Sequence, residues 1–305
     1  MTTIPLIPFD AENLLDWVSF TDALAQGHDL PKAEIGDTFL YRGSDTLLSR
    51  AAWIDGLGMA VKSATIFPGN KDQGKPNVNG GVSLYSDSDG TMEAIVDFHL
   101  VTKWKTAGDS LLAARRLARP DATRILLVGA GAVAQSLHAA YSAVFPNARF
   151  TVWSRTRASA EALVADLPGV AIADDLETAV RNAEIIGSAT MATEPLIKGA
   201  WLQPGQHLDL IGAYRPDMRE VDDEALQSAR LFVDNFDTTI GHIGEIKTPL
   251  ESGAITRDHI IADFYDLAAF KRGSADEITI CKNGGGAHLD LMTSRYILDR
   301  WRAAQ

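Results

Sequence analysis

Two stretches of this chain carry residue types spaced for chemistry on a phosphorylated cofactor. In Arg124-Ile125-Leu126-Leu127-Val128-Gly129-Ala130-Gly131-Ala132-Val133-Ala134 an apolar run meets a Gly-x-Gly turn, and a helix opens directly on it. Gly129 permits the tight turn and Gly131 lets the backbone approach a pyrophosphate. Ala134, in place of a third glycine, is small enough for close helix–strand packing. The N–H groups at Ala132 and Val133, with the partial positive charge of the helix N-terminus, suit the phosphates. The spacing predicts a dinucleotide-binding turn, with an ordinary strand–turn–helix as the bland alternative. The next apolar run, Phe150-Thr151-Val152-Trp153, ends in Ser154-Arg155-Thr156-Arg157. A site for NAD places an acidic residue there to accept from the ribose hydroxyls. Hydroxyls and a guanidinium suit a 2′-phosphate instead, so NADP(H) is the preferred cofactor and NAD(H) the second choice. The same residues also suit the solvated start of a helix. Thr190, Met191 and Ala192, just after an apolar run over 185–189, are expected along the cofactor. A further cation, Lys62, sits in the apolar run 59–67. Pattern alone leaves it either facing solvent from a strand or serving a site.

The elements that must position these residues follow from periodicity. Asp10 can cap a helix in which Leu14, Trp17, Val18, Thr21 and Leu24 share one face. Short β-rich runs come next, over 38–41, 46–48, 59–67, 81–86 and 92–100, and Asp87-Ser88-Asp89-Gly90 is a hairpin signal between the last two. A helix is predicted over 102–117, and Pro120-Asp121 marks a boundary. From there strands (124–128, 149–153, 171–173, 185–189, 207–211, 231–233) alternate with helices (133–144, 158–167, 176–182). That alternation is the mark of parallel βαβ units. A run over 277–282, a Gly284-Gly285-Gly286 turn and an amphipathic helix over 287–300 close the chain. The fold class read from this is α/β: a doubly wound Rossmann domain over 118–286, plus an α+β domain over 1–117.

Composition narrows the function. The chain has 305 residues, 46% hydrophobic and 22% charged, enough for about two domains. Its formal net charge of −12 argues against a nucleic-acid or anionic-membrane partner. Cys281 is the only cysteine, which excludes an internal disulfide and fits a reducing cytoplasm; it reads as a small buried residue of a strand. Met1–Asp10 lacks the basic and apolar regions of a secretion signal. No stretch reaches the roughly 18 apolar residues of a membrane span. The seven histidines show no metal-ligand spacing, so no metal is expected. His99, His138 and His242 read as packed or solvated.

From about Leu47 to Ile297 the chain resembles the ornithine cyclodeaminase/mu-crystallin group of nicotinamide-dependent enzymes. The likeness is carried by Val61-Lys62, Phe67-Pro68-Gly69-Asn70, Val101-Thr102-Lys103-Trp104-Lys105-Thr106-Ala107 and Leu117-Ala118-Arg119. It continues through the Gly129–Ala134 turn, Ala189-Thr190 with Glu194-Pro195, and Trp201-Leu202-Gln203-Pro204-Gly205. Ile211-Gly212-Ala213, Pro216-Asp217-Met218-Arg219-Glu220, Gly244-Glu245-Ile246 and Asp290 complete it. The resemblance implies a homodimer paired through the first domain and an active site between the two domains. It also returns the C-terminal helix, 287–305, to the first domain, for substrate binding and dimerisation.

The group moves hydride between nicotinamide and the α-carbon of an amino acid or its imine. Cations then hold the substrate carboxylate and favour hydride attack on an iminium carbon. The resemblance gives Lys62 that work, as carboxylate ligand or proton donor. It also places Lys105 where relatives carry a carboxylate-clamping arginine, which keeps the charge but loses the bidentate fork. Arg50 stands where relatives have an apolar residue and could restore a fork, or could be a surface arginine; Arg42 is a weaker candidate. Tyr214 replaces the aspartate by which ornithine cyclodeaminases handle a distal amine, and a phenol cannot stand in for a carboxylate at neutral pH. Asp217 and Glu220 are explained equally well by capping or salt bridges, and Asp290 by orienting a cation or capping. The reading is NAD(P)H-dependent reduction of a small anionic cyclic ketimine, Δ1-pyrroline-2-carboxylate or Δ1-piperideine-2-carboxylate, to L-proline or L-pipecolate. The alternatives are an alanine or N-alkylamino-acid dehydrogenase, an ornithine cyclodeaminase, and a crystallin-like NADPH-binding protein with little turnover.

Overall fold

The computed structural model describes residues 4–305; Met1–Thr3, the start of the stretch read for a leader, lie outside them. The chain forms two compact units, Met1–Lys105 with Gly286–Gln305, and Thr106–Gly285. The division falls inside the helix Phe98–Leu117, twelve residues before the boundary expected at 117/118.

The first unit is built on six strands: β1 (Leu6–Ile7), β2 (Glu34–Arg42), β3 (Asp45–Ile54), β4 (Gly58–Ile66), β5 (Val78–Tyr85) and β6 (Met92–Asp97). They lie in the order β1-β6-β5-β4-β3-β2. β2 to β6 form an antiparallel meander, and β1 runs parallel to β6. Alternation along the strands sorts the two faces. Ala52, Ile54, Ala60, Ala64, Val82, Leu84, Ala94 and Val96 are buried, on the face that shares its rows with Lys62. The C-terminal helix Ala287–Ala303 contacts β3 to β6, and Leu289, Leu291, Ile297 and Leu298 on it are fully buried. The opposite face leaves Leu40, Leu47, Trp53 and Ile95 exposed.

Two local expectations give way to capping. The first long helix is Trp17–His28, and Asp16 caps it by accepting from Ser19 N at 2.8 Å. Asp10 lies instead in a 3₁₀ turn, Phe9–Leu14. The run predicted as a strand to residue 100 stops at Asp97, whose Oδ1 accepts from Leu100 N at 2.8 Å. That bond satisfies an orphan donor and starts the helix at Phe98.

The second unit is an all-parallel sheet of β7 (Arg124–Val128), β8 (Arg149–Trp153), β9 (Ala171–Ile172), β10 (Ile185–Ser188), β11 (His207–Leu210), β12 (Arg230–Val233) and β13 (Thr279–Lys282). The order is β12-β13-β11-β10-β7-β8-β9. From β7 the chain steps outward to β8 and β9, then returns to place β10 on the other side of β7. Strand order reverses there, and open α/β sheets bind ligands at the carboxyl ends beside such a switch point. Leu126, Val128, Ile186, Leu208, Leu210 and Ile280 form the core, as expected of strands covered on both faces. Cys281 is fully buried in β13, and burial pushes its thiol well above the usual range. The helices Asp223–Ser228 and Gly244–Ser252 are additions that periodicity does not show.

Candidate active site

In the first unit three charged side chains meet beneath the C-terminal helix. Lys62 projects from β4 on the buried face, and its Nζ donates to Asp290 Oδ1 at 2.9 Å and to Thr102 Oγ1 at 2.8 Å. Lys105 Nζ donates to Asp290 Oδ2 at 3.0 Å. Thr102 and Lys105 share a helix face because they stand three residues apart. Thr102 Oγ1 donates to Phe98 O at 2.8 Å, so it accepts from Lys62. The Phe98 ring lies 4.6 Å from Lys62 Nζ, within cation–π range.

This arrangement sets the charges. Burial pushes the Asp290 carboxyl up, but Lys105, Lys62 and Arg50 together outweigh it and hold the group at about 2. Asp290 also lies in the first turn of its helix, where the backbone dipole favours an anion. Burial, with Lys62 and Arg50 beside it, lowers Lys105 to about 8 despite Asp290. Two lysines thus share one carboxylate in a concentration of positive charge, both lysine side chains being no more than 8% exposed. Such a concentration of cations suits an anionic ligand. Two of the three Lys62 donors are taken by Asp290 and Thr102, which leaves one for a ligand.

Arg50 stands directly opposite Lys62 in the β3–β4 register. Its guanidinium is committed to Asp37, with Nε at 3.1 Å from both carboxylate oxygens and Nη2 at 2.9 Å from Oδ2. It therefore adds charge to the cluster while its fork is engaged elsewhere. Arg42 is exposed and pairs with Asp45 in the β2–β3 hairpin, apart from the cluster. His28 and His288 are buried edge to face at 5.4 Å. Burial, then His28 and Lys105, hold His288 well below its ordinary range, so it contributes no cation at neutral pH. Asp290, left open by the sequence, is the residue that joins the lysines.

In the second unit the Gly-x-Gly turn lies at the carboxyl end of β7. Gly129 has φ +110°, and a Cβ there would sit 2.7 Å from Ala189 O, so only glycine fits. Gly131 is the N-cap of the helix Ala132–Val144, with no side chain capping it and no atom within 4 Å of where a Cβ would stand. With no side-chain cap, the first N–H groups, at Ala132 and Val133, are of the kind that bind a pyrophosphate. A pocket of about 220 Å³ adjoins the turn, lined by Gly129, Ser154, Arg155, Thr156, Thr190 and Met191 among others. Arg155 is exposed and, among the described residues, pairs with no carboxylate. Arg157 is bound to Glu161 and Asp174. The residues fit a dinucleotide, and no acidic side chain stands at Ser154, Arg155 or Thr156 where a ribose would lie.

Tyr214 is 54% exposed, with the Arg215 guanidinium 5.6 Å from its ring. Asp217 forms a surface pair with Arg215, whereas Glu220 is wholly buried beside Thr190. Among the described residues no group of three or more His, Cys, Asp or Glu could hold a metal ion, and no helix is long and apolar enough to cross a membrane.

Comparison with known proteins adds a second line. The family model described as the ornithine cyclodeaminase/mu-crystallin family matches residues 54–305. A Δ(1)-pyrroline-2-carboxylate reductase of Paracoccus denitrificans is 51% identical over 296 residues, 94% of each chain. The ketimine reductase mu-crystallin of Mus musculus is 30% identical over 249 residues, covering 81% of this chain and 77% of that one. The Δ(1)-pyrroline-2-carboxylate reductase of Thermococcus litoralis, solved with NADH and L-proline, has a TM-score of 0.88 over 98% of each chain at 24% identity. That last likeness is one of fold.

Proposed function

Because the chain belongs to the ornithine cyclodeaminase/mu-crystallin family, we propose that it reduces the C=N bond of a small cyclic imino acid with NAD(P)H. The substrate is Δ1-pyrroline-2-carboxylate or its six-membered homologue, and the product L-proline or L-pipecolate. The Lys62–Asp290–Lys105 cluster carries this reading: two buried ammonium groups drawn together on one shared carboxylate suit a substrate carboxylate. The reductase that is 51% identical over 94% of this chain supports the same substrate class.

Lys62 and Lys105 hold the substrate carboxylate by charge-assisted hydrogen bonds. The Lys62 donor not taken by Asp290 or Thr102 is the one available to the ligand. Asp290 fixes both ammonium groups, and Thr102 and the Phe98 ring hold Lys62 in one orientation. The two ammonium groups keep an anionic substrate close, and the proton that the ring nitrogen takes up on reduction comes from the Lys62 ammonium or from water. A bound nicotinamide supplies the hydride. Gly131, Ala132 and Val133 hold its pyrophosphate through backbone N–H groups, while Ser154, Arg155 and Thr156 favour the 2′-phosphate of NADPH. The protein works in the cytoplasm as a homodimer joined through the sheet face that exposes Leu40, Leu47, Trp53 and Ile95, large apolar side chains left open on one face being an association signal. A monomer mass by sedimentation at micromolar concentration would remove that assignment.

The test is nucleotide oxidation with Δ1-pyrroline-2-carboxylate, run in parallel with NADPH and NADH. Turnover is expected with both, with kcat/KM favouring NADPH by about 10-fold or more, the worth of a charge-assisted bond to the extra phosphate. Equal or better use of NADH would overturn the assignment of Arg155. Tight nucleotide binding without turnover of any imine would leave a binding protein.

The pH profile follows from Lys105. Only its protonated form binds a carboxylate, so kcat/KM falls as pH rises through about 8. Lys105→Arg keeps its charge throughout that range, and the fall is expected to disappear. An alkaline limb of the same midpoint in both proteins would assign it to another group.

A further inference from the structure

We infer that Glu220 is a positioning residue for the cofactor: its buried carboxylate ties together the two loops that leave β10 and β11 at the switch-point edge. This rests on the reading of the second unit as a dinucleotide site. Glu220 Oε1 accepts from Ser188 Oγ at 2.6 Å, Thr190 N at 2.8 Å and Thr190 Oγ1 at 2.9 Å. Its Oε2 accepts from Gly212 N at 2.7 Å and Ala213 N at 3.2 Å. Five donors, one from the end of β10 and four from the two loops, converge on one side chain with no exposed surface. A carboxylate is the only side chain that accepts on both oxygens at once.

The loops are held as close as atoms allow. A Cβ on Gly212 would lie 2.0 Å from Thr190 O and 2.7 Å from Glu220 Oε1, so glycine is required for the approach. Thr190 and the two residues after it line the pocket beside the Gly129 turn, which is how a residue that never meets the cofactor can place it. Glu220 is itself clamped: its backbone N–H, and that of Val221, donate to Glu245 at 2.7 and 3.1 Å. The buried Lys282 supplies the compensating charge toward both glutamates. Its Nζ is oriented by donating to Leu210 O at 2.8 Å and Asn283 O at 2.7 Å. Carboxylates this deep with a counter-charge behind them cost desolvation energy, and fixing two loops at the ligand edge is what the network achieves.

Glu220→Gln separates the role from general stability. The amide keeps one acceptor oxygen and turns an N–H₂ toward backbone donors, so one loop is released. The apparent Kd for NADPH, titrated by nucleotide fluorescence, is expected to rise about 10-fold or more. The KM for the imine, set by the lysines of the first unit, should stay within about 2-fold, an interval too small to signal a lost hydrogen bond. A variant that is folded by circular dichroism and binds NADPH like the wild type would overturn the inference. Should Glu220→Gln not fold, Ser188→Ala removes the shortest of the five bonds and leaves the carboxylate in place. It should weaken NADPH binding several-fold with the same imine KM, and an unchanged Kd would overturn the inference equally. Wild-type protein that binds neither nucleotide would overturn the dinucleotide reading itself, a result distinct from the others.

Discussion

Replacing Asp290 by alanine is expected to lower folding stability by about 3–5 kcal/mol, because it removes the carboxylate that two buried ammonium groups share. Asp290 is 1% exposed and is the carboxylate shared by Lys62 and Lys105. The loss should appear as a fall of roughly 10 °C in the melting temperature at neutral pH. Asp290→Asn keeps the shape but not the charge, and should lose most of the same stability. An Asn variant melting within about 2 °C of the wild type would show that the lysines are neutralised by other means. The sign of the pH dependence is fixed by the same group. Its folded value of about 2 lies below the ordinary 3.8, so its contribution is complete above the unfolded value. It fades as pH drops from there through about 2, and the acid limb of the melting curve should flatten in the Asn variant.

Lys62→Met should reduce kcat/KM for the cyclic imine by about 10³-fold, the scale on which removing a positioned donor or acid affects an enzyme. The NADPH Kd should not follow, since the Gly129 turn proposed to hold the nucleotide belongs to the other unit. Lys62→Arg is an informative companion: it keeps the charge, but a planar fork cannot reproduce the ammonium geometry toward Asp290 and Thr102. Recovery by arginine would reduce the role of Lys62 to charge alone. A Met variant within about 10-fold of wild type would leave no place for Lys62 in a step of this kind.

What could be read from the sequence was local. The Gly129 turn declares itself because strand, turn and helix are contiguous, so one window of residues holds the whole motif. The seven parallel strands are legible for the same reason, each a short apolar run between helices. Lys62 was ambiguous by itself because the partner that gives it meaning, Asp290, lies 228 residues further along. A carboxylate set among Leu289, Leu291 and Met292 was the available signal, a charge inside an apolar run. The β6 strand was overextended because Ile95, Val96, Phe98 and Leu100 look continuous, and a single capping bond from Asp97 decides otherwise. Glu220 was invisible as a positioning group for a related reason. Its five donors come from residues 188, 190, 212 and 213, and no periodicity records which loops converge on one side chain. Arg50, read as either a restored fork or a surface arginine, has its fork engaged by Asp37 on the neighbouring strand, a pairing that no local pattern records.

The return of the C-terminal helix to the first unit has a consequence for the protein's synthesis. Chains leave the ribosome N-terminus first and domains tend to fold as units. Here the inner face of the β1–β6 sheet lacks its cover, and the two lysines their counter-ion, until residues 286–305 have emerged. A nascent or prematurely terminated chain can complete the parallel sheet of the second unit while Lys62 and Lys105 still await Asp290. The cover of that sheet face and the joining of the two lysines therefore wait on residues 286–305.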